Sequence, residues 1–104
     1  MTLREQQSKF ALMVAQLILW AYDNGYEITL GDAYAKVGHI PGSFHYQRLA
    51  IDLNLFKDGH YLTGTTEYKP LGIYWKSLGG SWGGDWKNDG NHFSLGEGKK
   101  PQEV

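Results

Sequence analysis

From Leu49 to Phe56 apolar and polar side chains alternate. Leu49, Ile51, Leu53 and Leu55 fall on one parity, and Ala50, Asp52 and Asn54 on the other. A period of two predicts a strand over residues 48–56, with its leucine face in a core and its other face towards a cleft or solvent. Residues 2–24 carry a helical signature. Thr2 and Glu5 stand at capping-box spacing, Gln16 is the sole polar residue between positions 10 and 22, and Asn24-Gly25 is a stop. That apolar run predicts a helix buried on most sides. YEITLGDAY, residues 26–34, reads as a short strand entering a glycine-containing bend, and residues 36–43 as loop. Asp58-Gly59 predicts a tight turn, with Tyr61 and Leu62 returning as a hairpin arm. Residues 65–78 set Tyr68, Leu71, Trp75 and Leu78 at helical spacing, with Pro70 in the first turn. Residues 79–84 read as loop and 91–95 as a last strand. The order predicts a small α+β domain over residues 1–95, with an antiparallel sheet and N-terminal and central helices, then a flexible polar tail over 96–104.

Composition narrows the chemistry. The chain has 104 residues, enough for one core, and 41% of them are hydrophobic. A formal net charge of −1 argues against a nucleic-acid binder, whose affinity would come mainly from a basic surface. Cysteine is absent, so any metal must be held by His, Asp or Glu. The apolar run at 10–22 is too short to span a bilayer. Arg4, Glu5 and Lys9 mix signs ahead of it, which is not the layout of a signal peptide. The expectation is a monomer made in the cytoplasm, without membrane insertion.

Asp52 is out of place in this picture. Aspartate is disfavoured within strands, and a half-buried carboxylate is costly without a partner. His45 stands seven residues earlier, where a turn could bring its ring over the Asp52 face. His92 opens the last predicted strand. Two imidazoles and a carboxylate make a three-ligand set for catalytic Zn²⁺. Asp89, three residues before His92, is the candidate to carry a proton between water and a leaving amine, with Asp85 as second choice. Each residue alone has a plainer reading. Asp52 could pair with Arg48 or a lysine, His92 could be an ordinary histidine beside a core, and Asp89-Gly90 is a turn signal. His39 and His60 read as solvated.

Taken together, Ser43, His45 and Asp52 as S-x-H-x6-D, then Asp89 and His92 as D-x2-H, resemble the zinc peptidases that include D-alanyl-D-alanine carboxypeptidases, D-alanyl-D-alanine dipeptidases and phage L-alanyl-D-glutamate endopeptidases. The flanks LAIDLNLFKDG, WGG and DGNHFS, and the opening LREQQSKFALMVAQLILWAYDNGYEITLGDAY, resemble the short phage and prophage endopeptidases most. The resemblance implies a Hedgehog/DD-peptidase-like fold, Zn²⁺ on His45, Asp52 and His92, and Asp89 as general base and acid. It implies Ser43 shaping the site, and the peptide stem of peptidoglycan as substrate in a lysis enzyme that reaches the cell wall after release. Tyr46, Trp82 and Trp86 are candidates to line the groove. Two positions depart from the pattern. Arg48 stands where many members have glycine. Ala35 stands where many have an arginine that stabilises the developing oxyanion, a loss worth about 10²–10³ in rate at comparable sites. The departure implies reduced activity. The alternative it opens is a weakened cell-wall or protein-binding module that keeps the zinc-site fold.

Overall fold

The computed structural model describes residues 1–34 and 44–96. Helix α1 runs Leu3–Asp23, β1 Glu27–Leu30, β2 Ala50–Lys57, β3 His60–Leu62, α2 Lys69–Ser77, β4 Ser81–Trp82 and β5 His92–Ser94. Single 3-10 turns occupy Phe44–Gln47, Thr65–Tyr68 and Gly83–Asp85. The expected α+β class, antiparallel sheet and two helices are all present. The expected loop and tail at 35–43 and 97–104 lie outside the described residues.

The predicted capping box closes the start of α1: the Glu5 N–H donates to Thr2 Oγ1 at 3.1 Å, and the Thr2 N–H donates to Glu5 Oε1 at 2.9 Å. The helix is not buried on most sides. Phe10, Met13, Leu17 and Ala21 form one buried stripe, whereas Leu12 is 62% and Leu19 67% exposed. A helix packed on one side of a two-layer domain covers only such a stripe, however apolar its remaining positions.

Strand β2 is the spine of the sheet. It pairs with β1 along one edge, through Glu27↔Phe56 to Leu30↔Leu53. On the other edge β5 takes its first half, Ala50 to Asp52, and β3 its last three residues. Asp58 and Gly59 both have positive φ, 52° and 80°, as the predicted two-residue hairpin requires. The β2 leucine face closes onto α1 and α2: Leu53, Leu55, Leu71, Trp75 and Phe93 are fully buried. Each such side chain contributes roughly 1.5–3 kcal/mol by leaving water. The Trp75 indole N–H, shared between Ser81 O at 3.0 Å and Ser94 O at 2.9 Å, fastens α2 to β4 and β5. Strand β4 falls within a stretch read from the sequence as loop, because two residues are too short to show a period.

Tyr68 locks the Thr65–Tyr68 turn to the sheet. Its hydroxyl accepts from the Leu55 N–H at 3.0 Å and donates to Leu62 O at 2.7 Å. Burial pushes the phenol pKa above its ordinary 10.0, against the opposing hydrogen bond from Leu55. The folded protein therefore keeps this proton at a pH where the unfolded chain releases it. Stability from this group is complete below about pH 10 and falls as pH rises from there through the folded pKa. Tyr68→Phe is expected to cost about 1–3 kcal/mol at neutral pH, because a buried donor and acceptor lose their partner. It should also flatten the alkaline decline. Urea unfolding on both sides of pH ~10 measures both effects.

Candidate metal centre

The site is built at the junction of β2 and β5. Asp52 N donates to Asp32 O at 2.9 Å, and Asp52 O accepts from Gly31 N at 2.8 Å. Both of its backbone groups are thus committed to the β1 side. Asp52 faces His92 across the other edge, as a pair without mutual backbone hydrogen bonds. In such pairs the side chains come closest, with Cα atoms about 4.5 Å apart. His45 arrives from the Phe44–Gln47 turn. That turn closes through Arg48 N to His45 O at 3.2 Å and Leu49 N to Phe44 O at 3.0 Å. Arg48 takes φ +58°, folding the chain back into β2. The strand accordingly begins at Ala50, two residues after its predicted start. This left-handed conformation accounts physically for a position that suits glycine.

His45 Nε2, His92 Nδ1 and Asp52 Oδ1 form a triangle with all three edges 3.2 Å long. Both imidazoles are 1% exposed, and the Asp52 side chain is 23% exposed. Three donors bound to one ion at roughly 2.0–2.2 Å with tetrahedral angles lie about 3.3–3.6 Å apart, so this triangle fits zinc closely. Hydrogen bonding alone explains it less well. A hydrogen bond prefers an angle above about 150°, so one ring proton addresses one corner of a triangle at a time. A cation engages all three corners together. Among the described residues, His45, Asp52 and His92 are the group of potential ligand atoms close enough to share a metal.

The loop between β4 and β5 carries the remaining candidates. Asp89 is fixed by its backbone: its N–H donates to Gly83 O at 3.2 Å, and its carbonyl accepts from His92 N at 3.2 Å. Its carboxylate is outside the triangle and 43% exposed, with Lys87 Nζ 3.9 Å from Oδ2. Trp86 is half exposed, its ring edge-on to His92 at 6.4 Å, with Lys87 Nζ 4.7 Å above it. Trp82 departs from the expected groove position. It is 4% exposed and packed in the core, and its indole N–H donates to Gly90 O at 2.7 Å. Its parity explains this, since Trp82 pairs with Phe93 on the core side of the sheet. Asp85 is engaged elsewhere, bonded to Lys76 at 2.8 Å. Arg48 does not point to the triangle. Its guanidinium lies 4.1 Å from the Tyr34 ring centre, beside a cavity lined by Phe10, Val14 and Ile51 of the opposite face. Ser43 and the Tyr46 side chain, both expected at the site, lie outside what the structure describes. Sequence reasoning missed Gly83 and Thr65, both of which contact the Asp89 segment. The Gly-Gly pair after Trp82 was a signal for the first; Thr65 had none.

Residues 38–95, more than half of the chain, match the family described as D-alanyl-D-alanine carboxypeptidase. The chain belongs to that family. The matched span contains all three corners of the triangle and Asp89. Members of this carboxypeptidase family are zinc peptidases, in agreement with the donor set and its spacing. No curated protein matches the chain. Among the described residues, no helix is long and apolar enough to cross a membrane.

Proposed function

We propose that this protein is a zinc peptidase that hydrolyses the peptide stem of peptidoglycan, at an L-Ala–D-Glu or D-Ala–D-Ala type of bond, in phage or prophage lysis. The observation that carries the reading is the 3.2 Å triangle of His45, Asp52 and His92, with Asp89, held by its backbone, three residues before one of its corners. The family match supports the class of reaction.

His45, Asp52 and His92 would hold the metal. When bound there, zinc supplies Lewis-acid polarisation of a carbonyl oxygen and acidifies water. The Asp89 carboxylate takes a proton from the attacking water as the new C–O bond forms. It gives that proton to the nitrogen as the C–N bond breaks, so the products are an amine and a carboxylic acid, whose remaining proton leaves on ionisation. Trp86, exposed beside His92, offers an aromatic wall to the peptide. Ser43 and Tyr46 flank His45 in sequence and are assigned to the substrate side of the same site. The enzyme would act as a monomer and meet its substrate in the cell wall.

A second reading is favoured by Ala35 together with the position of Arg48. The arginine usual in the family is missing from the sequence, and Arg48 is spent on Tyr34. A weakened enzyme or a cell-wall-binding module would follow. Incubation of zinc-loaded protein with purified stem peptides, with and without chelator, separates the two by mass spectrometry. Chelator-sensitive cleavage is expected, and the product masses name the bond. Uncut peptides with fully loaded protein would favour the binding module, and cleavage that survives the chelator would refute the zinc reading.

A further inference from the structure

The Asp89 segment needs a mount, because short loops rich in glycine do not hold a carboxylate still. The mount comes from the Thr65–Tyr68 turn, remote in sequence from every residue of the metal triangle. Thr65 Oγ1 donates to Asn88 O at 3.1 Å and accepts from Gly90 N at 3.2 Å. One hydroxyl therefore grips the chain on both sides of Asp89. The two backbones are in close contact there: a Cβ on Gly90 would lie 2.8 Å from Thr65 Cα. Asn88 takes a left-handed φ of 52°, which turns the chain immediately before Asp89 and which asparagine accepts more readily than other non-glycine residues. The Thr65 hydroxyl takes no part in capping its own turn. That role falls to Glu67, whose Oε1 accepts from Gly64 N at 3.0 Å.

The turn is itself bolted to the strand that carries Asp52. The Tyr68 hydroxyl is shared between Leu55 N of β2 and Leu62 O of β3. The Tyr68 hydroxyl ties one end of the turn to β2, and the Thr65 hydroxyl at the other end of the same four-residue turn reaches the residues either side of Asp89. On the far side, Gly83 O holds Asp89 N, and the Trp82 indole holds Gly90 O. Thr65 thereby adds a side-chain link between the metal-bearing strand and the Asp89 segment, beside the direct backbone bond from Leu53 N to Asn91 O at 2.9 Å.

We propose that Thr65 is a positioning residue for the Asp89 carboxylate. The role of Asp89 rests on the function proposed above; the grip of Thr65 on the Asp89 segment does not. Near-attack geometry is sensitive enough that a displacement of about 1 Å costs on the order of 10² in rate. Loss of one hydroxyl that brackets the segment should cost somewhat less, about tenfold to fiftyfold.

The test uses Thr65→Val, which keeps the shape and removes the hydroxyl, and Thr65→Ser, which keeps the hydroxyl. Two measurements are made on each full-length protein. The first is amide hydrogen exchange in metal-free protein, which requires no catalysis. Thr65→Val should speed exchange at Gly90 about tenfold or more, with Leu17 and Ala21 of α1 unchanged, and Thr65→Ser should restore protection. The second is steady-state hydrolysis of a stem peptide by zinc-loaded protein. Thr65→Val should lower kcat with KM and zinc content within about twofold of the parent, and Thr65→Ser should recover most of kcat. Unchanged exchange at Gly90 in Thr65→Val overturns the proposal whether or not the parent cleaves peptide. So does an unchanged kcat in an active enzyme. Local exchange that responds as expected in a parent without hydrolysis would locate the failure in the function assigned to Asp89 instead, with Thr65 still holding the segment.

Discussion

Asp89→Ala is expected to bind zinc as the parent does and to lose hydrolysis, whereas His92→Ala loses both. The two residues are three apart in sequence and differ completely in placement. His92 is a corner of the triangle, buried, and paired across the strands with Asp52. Its removal leaves two donors, and a two-donor site does not make the three protein ligands that catalytic zinc requires. Asp89 is outside the triangle, half exposed, and held by its backbone rather than its side chain. Truncation at Cβ therefore leaves the hydrogen bonds from Asp89 to Gly83 and His92 in place. What disappears is the proton carrier, a contribution of about 10²–10⁴ in rate. Zinc content and stem-peptide hydrolysis, measured on both variants, give the answer. Equal loss of zinc in the two would show that Asp89 is a ligand or that its segment collapses without it.

The second large effect is expected from a single methyl group. A Cβ on Gly83 would stand 2.5 Å from Asp89 O, 2.9 Å from His92 Cβ and 3.2 Å from His92 O. The first contact is with backbone, which cannot swing aside as a side-chain tip can. Gly83→Ala must push the Asp89 segment and the start of β5 away from Gly83. That same movement breaks the shared acceptor at Gly83 O, which takes both Lys87 N at 3.1 Å and Asp89 N at 3.2 Å. Overpacking of this kind costs about 1–3 kcal/mol. The accompanying shift of Asp89 and His92 should lower turnover by on the order of 10². Gly59→Ala is the control. It has φ +80° in the β2–β3 turn with nothing within 4 Å, so it should lose about 1 kcal/mol of stability and retain turnover per folded molecule. Thermal unfolding and kcat on both variants separate the two mechanisms.

Local patterns made much of this molecule legible. The alternation from Leu49 to Leu55 marks the core face of β2, and Thr2 with Glu5 marks the start of α1. Asp58-Gly59 marks the hairpin. Asp52 was conspicuous because a carboxylate in a strand needs a partner, and that partner set is what the triangle supplies. The sequence overstated the burial of α1, because apolar content does not reveal how much of a helix a thin sheet can cover. Trp82 was a candidate to line the groove under the family resemblance, yet its register with Phe93 turns it inward. The Thr65 grip left no trace in the sequence, since it joins two loops about twenty-five positions apart through one hydroxyl. Contacts of that kind follow from tertiary packing and have no period or spacing to read.

The central claim is that His45, Asp52 and His92 share one zinc ion. X-ray absorption on the protein loaded with a single equivalent of zinc tests it most directly. Stoichiometric binding is expected, with a first shell of nitrogen and oxygen donors at about 2.0–2.2 Å and two imidazole signatures, and His45→Ala should lose one imidazole together with most of the bound metal. Failure to retain zinc, or a zinc shell unchanged in His45→Ala, would contradict it.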